Sequence, residues 1–217
     1  MRYPDKIEIE GCKPNFDKAY LRFLHALPND PPLNVDVYIN GKLIVKNLKF
    51  EDFTEYITLK AGSYIIQVFP TGNHLEQLVD MRIVLEKEEI ATAAIVGTVS
   101  EVQVEIFSDG PMPIDPECAF MRFINLSPDS GGVNIYIDDT PVVYDLNFME
   151  VTSYLSLIPG RHTMKVELDS TKEIVVSHPN MVLKGGNYYT TYVVGFAYGR
   201  PYIEVLIPLE GTSYLRF

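Results

Sequence analysis

Tryptophan is absent from this sequence of 217 residues, cysteine occurs twice and histidine four times. Two cysteines are too few for a disulfide framework, and no Cys or His residues recur at the short spacing that a four-ligand zinc site requires. No acidic loop shows the regular spacing and the closing Glu of a calcium site. The sequence therefore predicts no bound metal and no cofactor, and it indicates that Cys12 and Cys118 are free thiols.

Basic residues are outnumbered, since 18 Lys and Arg stand against 29 Asp and Glu and the net charge is -11. A phosphate backbone or an anionic bilayer needs clustered Lys and Arg, so nucleic acid is excluded as the main partner. Apolar runs of about 18 residues are also missing, which argues against insertion into a membrane. The first residues lack the apolar segment of a secretory signal, so the sequence alone indicates a cytoplasmic protein unless a leader has been removed.

Signatures of catalysis are missing as well. The sequence contains no Gly-x-Ser-x-Gly elbow, no His-Glu-x-x-His motif and no Gly-rich phosphate loop. Paired carboxylates, which glycosidases use, leave an enzymatic alternative open, because 29 acidic residues allow many spatial pairs. We assign no catalytic residue and expect a protein that is not an enzyme.

What the sequence does contain is an internal repeat. AYLRFLHALP at 19–28 returns as AFMRFINLSP at 119–128, and NVDVYING at 34–41 returns as GVNIYIDD at 132–139. Prolines between the two copies restrict φ and favour a stiff connector. The predicted organisation is an N-terminal extension (1–18), a first repeat (19–107), a Pro-rich connector (108–118) and a second repeat (119–217).

Within each repeat the apolar residues alternate with polar ones, which is the pattern of half-buried strands. In the quoted stretch Val35, Val37 and Ile39 project to one face, and Asn40-Gly41 then supplies the positive φ of a two-residue hairpin turn. Further short apolar runs follow, separated by Gly, Pro, Asn or charged residues. The pattern predicts an all-β protein of two tandem Ig-like antiparallel β-sandwich domains.

Three motifs of the first repeat resemble a known bacterial family. These are Arg-Phe-x-His-x-x-Pro at 22–28, Val-Asp-Val-Tyr-Ile-Asn-Gly at 35–41 and Leu-Lys-Ala-Gly-Ser-Tyr at 59–64. Their order is similar to that of the domain of unknown function 4397, and the likeness is weaker in the second repeat, where Asn125 replaces His25. The resemblance implies tandem units in envelope-associated or secreted proteins and no established activity.

Two arginines, Arg22 and Arg122, occupy equivalent positions on the strand face opposite their apolar neighbours. We predict that Arg22 pairs with Asp36 across neighbouring strands, and that Arg122 pairs with Asn134. Such a cross-strand pair contributes about 0.2 to 1 kcal/mol. A catalytic carboxylate would not tolerate the replacement of Asp36 by Asn134 in the second repeat. The pairs therefore indicate a structural role and not a catalytic one.

A late strand differs between the two repeats. Tyr188 and Tyr192 stand where the first repeat has Ile90 and Ala94, so the fold itself does not require tyrosine there. Tyrosine offers a large contact area at a small entropy cost, which suits the binding of a protein or a glycan. Packing in the core or at an interface between the repeats is the alternative. The predicted contact row comprises Tyr188, Tyr192, Tyr198 and Tyr202.

These observations favour a noncatalytic binding or structural module, which the family resemblance places at the bacterial cell envelope. Its partner is predicted to be a protein or a glycan, and self-association is a further option. The alternative function is a carbohydrate-binding or carbohydrate-active domain with a site between the two repeats.

Overall fold

Alternation of apolar and polar residues gives the described part of the chain sixteen β-strands in two units of eight. The computed structural model describes residues 17–110 and 112–215. Most of the predicted N-terminal extension, including Cys12, lies outside the described residues. Cys118 lies within them and is a free cysteine.

The first unit contains two four-stranded sheets, with strand orders β3-β2-β5-β6 and β4-β1-β7-β8. Its strands are β1 (Lys18–His25), β2 (Val35–Ile39), β3 (Lys42–Leu48), β4 (Ile57–Lys60), β5 (Gly62–Pro70), β6 (Val79–Leu85), β7 (Ile90–Thr98) and β8 (Glu101–Gly110).

The second unit repeats this arrangement, with strand orders β11-β10-β13-β14 and β12-β9-β15-β16 and a short 3-10 helix, Gly211–Ser213, near its end. Its strands are β9 (Ala119–Asn125), β10 (Val133–Ile137), β11 (Thr140–Leu146), β12 (Leu155–Leu157), β13 (Gly160–Leu168), β14 (Ile174–Leu183), β15 (Tyr188–Val194) and β16 (Glu204–Leu206).

The prediction of an all-β chain with two sandwiches is confirmed. Within each unit one strand pair runs parallel, β1 with β7 and β9 with β15, whereas the other pairs are antiparallel. A parallel pair needs a long connection between its strands. Here that connection builds the whole of the opposite sheet.

The echoed stretch that contains Asn40-Gly41 is a hairpin in both units. Asn40 and Gly41, between β2 and β3, have φ angles of 49° and 74°. Asp138 and Asp139 occupy the equivalent turn between β10 and β11, with φ angles of 48° and 63°. Positive φ at both central residues is the requirement of a type I′ turn. The repeated motif is therefore part of the scaffold.

Each unit has its own hydrophobic core between its two sheets. Leu21 and Phe23 of β1 lie in the first core, and Met121 and Phe123 of β9 lie in the second. The alternate residues of the same strands, such as Leu24 and Ile124, point the other way and are also fully buried. Strands β1 and β9 therefore have buried side chains on both faces.

The opposite faces of β1, β7, β9 and β15 meet in a third apolar cluster, which we call the interface cluster. Its buried members are Leu24, Ala26, Ala94, Val96, Phe107, Ile124, Leu126, Tyr192 and Val194. Several of them are equivalent pairs, for example Leu24 with Ile124 and Val96 with Val194. The two units thus bury matching patches against each other, as the subunits of a two-fold symmetric dimer do.

Within the described ranges, no helix has the length and apolarity needed to cross a membrane.

Candidate functional site

The structure does not bring the predicted pair Arg22 and Asp36 together. Arg22 lies on β1 and Asp36 on β2, and these strands belong to different sheets, because residues 26–34 carry the chain across the sandwich. The Asp36 carboxylate instead accepts hydrogen bonds from the Asn47 backbone N–H at 2.8 Å and from the Thr71 hydroxyl at 3.0 Å. Asp36 therefore ties together the ends of β3 and β5.

The second predicted pair, Arg122 with Asn134, is separated in the same way, since β9 and β10 belong to different sheets. The Asn134 side-chain oxygen accepts a hydrogen bond from the Asp145 backbone N–H at 3.0 Å. Its amide nitrogen donates to Glu167 and Asp169, both at 3.0 Å. Asn134 and Asp36 thus hold equivalent loops, and neither contacts the arginine predicted for it.

Arg22 instead reaches across the interface into the second unit. Its Nε donates to the Thr92 hydroxyl of the neighbouring strand at 2.9 Å. One terminal nitrogen donates to the Leu209 carbonyl at 3.4 Å, and the other forms an ion pair with the Glu210 carboxylate at 2.8 Å. Arg22 and Glu210 are both buried.

Arg122 makes the reciprocal set of bonds with the first unit. Its Nε donates to the Thr190 hydroxyl at 2.9 Å. Its two terminal nitrogens donate to the Ser108 carbonyl at 2.6 Å and to the Asp109 carboxylate at 2.5 Å. Each arginine is therefore paired with a carboxyl group from the end of the other unit.

A single tyrosine links the two buried carboxylates. The Tyr56 hydroxyl lies 2.9 Å from an Asp109 oxygen and 3.1 Å from a Glu210 oxygen. Burial raises the pKa of Asp109, and the negative charge of Glu210 adds to the shift, whereas Arg22 and Arg122 oppose it, so that the pKa is about 7. We call this group of buried polar side chains the interface network.

The predicted row of tyrosines divides into a buried and an exposed half. Tyr188 is 3% exposed, stacks on Phe120 with ring centres 4.5 Å apart and donates its hydroxyl proton to the Pro113 carbonyl. Tyr192 is fully buried in the interface cluster. An external partner therefore reaches neither ring, which corrects the predicted row. Strand parity identified their common face correctly, but it did not show that the first unit covers much of it.

Tyr198 and Tyr202 remain accessible, at 67% and 63% exposed. They lie on the loop 196–203 between β15 and β16, which we call the aromatic loop. The equivalent turn of the first unit begins at Gly97, where an added Cβ would lie 2.1 Å from the carbonyl of Glu101. At Gly195 the corresponding close contact is with Tyr202, at 2.2 Å. The aromatic loop is thus longer than its counterpart by three residues.

Asp129 anchors the aromatic loop to the body of the second unit. Its carboxylate oxygens accept hydrogen bonds from the Ala197 N–H at 2.7 Å and the Tyr198 N–H at 3.2 Å. Within the loop, the Phe196 N–H donates to the Pro201 carbonyl at 2.8 Å. These bonds fix the backbone that carries the exposed rings.

Pockets lie on both sides of the aromatic loop. The first, the tyrosine pocket, has a volume of about 300 Å³ and is lined by Tyr198 and Tyr202 together with residues of β14, including Ile174. The second, the inter-unit pocket, has a volume of about 380 Å³ and lies between the two units. It is lined by Asn29, Asp30, Pro32, Asn34, Lys49, Phe50, Arg200 and Pro201.

Arg200 connects the two pockets. It lines the inter-unit pocket, and its guanidinium carbon lies 5.4 Å from the ring centre of Tyr202, which lines the tyrosine pocket. A ligand longer than one pocket can therefore contact both sides of the aromatic loop. No group of three or more His, Cys, Asp or Glu side chains is placed to hold a metal ion in the described part of the chain.

The domain of unknown function DUF4397 matches two overlapping segments of the chain, residues 19–133 and 119–210. The chain belongs to the DUF4397 family. The two matches confirm the two copies that the family resemblance indicated. None of the curated proteins compared with this DUF4397 chain matches it.

Three crystal structures share some similarity with this DUF4397 chain. A leucine-rich repeat protein from Bacteroides thetaiotaomicron is 11% identical with a TM-score of 0.23, over 80% of this chain but only 26% of its own. A candidate cell adhesion protein from Bacteroides uniformis is 9% identical with a TM-score of 0.28, over 89% and 98% of the two chains. A candidate adhesin from Bacteroides ovatus is 8% identical with a TM-score of 0.25, over 88% and 95%. Similarity of this size does not transfer a function.

Sequence reasoning missed the acidic half of the interface network in this DUF4397 chain. Asp109 lies in the segment assigned to the connector, and Glu210 lies 188 positions from its partner Arg22. A signal was nevertheless present, since both repeats end in a carboxylate followed by glycine, Asp109-Gly110 and Glu210-Gly211. Residues 108–110 of the predicted connector in fact form the end of β8, which ends at Gly110.

Proposed function

We propose that this DUF4397 protein is a noncatalytic module that binds a carbohydrate chain across the aromatic loop. The observation that carries the proposal is the exposure of Tyr198 and Tyr202 on a loop that Asp129 anchors between two pockets. A tyrosine ring offers an apolar face for a sugar ring and a hydroxyl for its polar edge. An anchored loop loses little conformational entropy when a ligand binds, which favours affinity.

The size and arrangement of the pockets support a ligand of several sugar rings. Ligand pockets usually have volumes of about 300 to 1,000 Å³, so each pocket alone is at the small end of this range. Their connection through Arg200 offers an extended surface to a polymer. Tyr198 and Tyr202 would then contact one part of the chain and the inter-unit pocket the next.

The interface network supports the binding role, and its own two carboxylates are not placed for catalysis. Because the inter-unit pocket is formed by both units, a fixed arrangement of the units keeps its two walls in place, and the crossed arginine pairs provide that fixation. The carboxylates of Asp109 and Glu210 are fully buried and are held by arginines and Tyr56. They are therefore unavailable as the acid and nucleophile of a glycosidase.

A glycan-binding screen with neutral and acidic polysaccharides tests the proposal. We expect the Tyr198→Ala/Tyr202→Ala protein to bind about tenfold more weakly or worse, because each aromatic contact contributes about 0.5 to 1.5 kcal/mol. Tyr144→Ala is the matched control, since Tyr144 is 66% exposed on β11 of the other sheet. Failure of every glycan to bind, or equal binding by the double variant, contradicts the proposal. Capture of a protein through the same loop would favour a protein partner instead.

We also propose that the module acts at the bacterial cell envelope, as the family resemblance implies. Fractionation of the native cells, followed by immunodetection, tests this. Recovery with the cytoplasmic fraction alone would contradict it.

A further inference from the structure

The inter-unit pocket carries two cationic side chains, one from each unit. Lys49 follows β3 of the first unit, and Arg200 lies on the aromatic loop of the second. Both residues are exposed, and across residues 17–110 and 112–215 neither takes part in an ion pair. Two cations beside one carboxylate, Asp30, make the lining positive in a chain whose net charge is -11.

The neutral groups of the inter-unit pocket suit a sugar. The amide nitrogens of Asn29 and Asn34 donate within the protein, to the Pro31 carbonyl at 2.8 Å and to Asn47 at 2.9 Å. Their side-chain oxygens can therefore accept hydrogen bonds from ligand hydroxyls. Phe50 adds an aromatic ring to the lining.

The matching patches of the two units provide an internal comparison. A pocket of about 440 Å³ occupies the counterpart position, where Phe148 is the equivalent of Phe50 and where the turn that begins at Gly97 replaces the aromatic loop. Its lining contains Glu101 and Gln103 and no Lys or Arg. The equivalent of Lys49 is Asn147, and Arg200 lies in the longer loop. The two-fold arrangement itself therefore does not require the cations.

We propose that the inter-unit pocket binds the carboxylate of an acidic sugar, a hexuronic acid unit of the glycan chain, between Arg200 and Lys49. The assignment rests on the proposed glycan-binding function and specifies its ligand. A guanidinium binds a planar carboxylate through two parallel hydrogen bonds, and the lysine adds a point charge. Asp30 disfavours a doubly charged phosphate more strongly than a singly charged carboxylate, because like charges in one pocket repel.

Titration calorimetry on the full chain tests this with three probes: trigalacturonic acid, the same trimer as its methyl ester, and inorganic phosphate. We expect the acid to bind, the ester to bind at least about tenfold more weakly, and phosphate not to compete, because hydrogen bonds to a charged group contribute more than neutral ones. Added salt is expected to weaken the binding of the acid and to leave the binding of the ester unchanged.

Variants with matched controls locate the site. Arg200→Gln and Lys49→Gln are expected to reduce binding of the acid to the level of the ester. Arg161→Gln and Lys46→Gln, which change exposed cations of the same two units, are expected to leave it unchanged. All four positions are on the surface, and circular dichroism confirms that each variant is folded.

The possible outcomes separate this inference from the proposed function. Equal binding of acid and ester, unchanged binding by Arg200→Gln and Lys49→Gln, or competition by phosphate overturns the carboxylate site. Binding of neutral glycans without binding of the uronate trimer also overturns it, while the glycan-binding function stands. Binding of no saccharide at all overturns both.

Discussion

Replacement of Tyr192 tests the packing between the two units most directly. Its ring is fully buried against Phe53 and Phe107, with ring centres 5.6 and 6.4 Å away. Trimming a buried aromatic side chain to alanine lowers the free energy of unfolding by about 3 to 5 kcal/mol. Because the equivalent residue of the first unit is Ala94, on the same kind of strand, we expect Tyr192→Ala to add no backbone strain and to fall within this range.

Tyr192→Phe separates the ring from its hydroxyl. The hydroxyl oxygen is buried and has no hydrogen-bond partner among the described residues. A buried polar group without a partner costs about 1 to 3 kcal/mol. We therefore expect Tyr192→Phe to leave the free energy of unfolding unchanged or to raise it by about 1 kcal/mol, opposite in sign to Tyr192→Ala.

Urea denaturation measures both changes, and calorimetry shows how the units are coupled. We expect the wild-type protein to melt in one transition, because the interface cluster joins the units, and Tyr192→Ala to separate the transition into two. A Tyr192→Ala protein within about 1 kcal/mol of wild type would refute the packing argument. A loss of more than about 1 kcal/mol in Tyr192→Phe would show that the hydroxyl does have a partner.

Three further outcomes are expected from the interface network and the aromatic loop. Folding raises the pKa of Asp109 from an ordinary value of 3.8 to about 7, so the folded state binds more protons and stability should fall as the pH rises through this interval. Asp109→Asn should flatten that part of the urea-denaturation profile, and an unchanged slope would count against the assignment. Arg22→Ala leaves the Glu210 carboxylate buried with the Tyr56 hydroxyl but without its ion-pair partner, and should lower the free energy of unfolding by about 3 to 5 kcal/mol in urea denaturation. Lys172→Ala, which breaks an exposed pair, should cost about 0 to 1 kcal/mol, and equal costs would contradict the burial argument. Asp129→Ala removes two hydrogen bonds to the aromatic loop and should weaken glycan binding in calorimetry with little change in melting temperature, whereas unchanged affinity would show that the anchor is dispensable.

Local rules were sufficient for the strands and for the hairpin turns. Asn40-Gly41 adopts the positive φ angles that its sequence favours, and the alternation from Val35 to Ile39 places these side chains in the core as predicted. Such features depend on residues a few positions apart. The sequence alone was therefore enough to predict the all-β fold.

Contacts between residues far apart in the sequence could not be predicted from these local rules. The strand face of Tyr192 was predicted correctly, but whether solvent or another unit covers that face depends on contacts between distant segments. Arg22 was predicted to pair with Asp36 across neighbouring strands, whereas its partner Glu210 comes from the end of the other repeat. Tyr198 and Tyr202 are exposed on a loop with three added residues, and their role as contact residues stays a prediction.

Fusion of two matching units into one chain has a consequence for how a binding site can change. In a symmetric dimer of identical subunits, every substitution appears at both symmetry-related places, so the two pockets beside the interface must have the same chemistry. A tandem chain is free of this constraint, because each pocket is encoded separately. One pocket can carry Arg200 while its counterpart carries Glu101, and the shared interface is left intact. Two units with a symmetric interface can thus present one ligand-binding site instead of two.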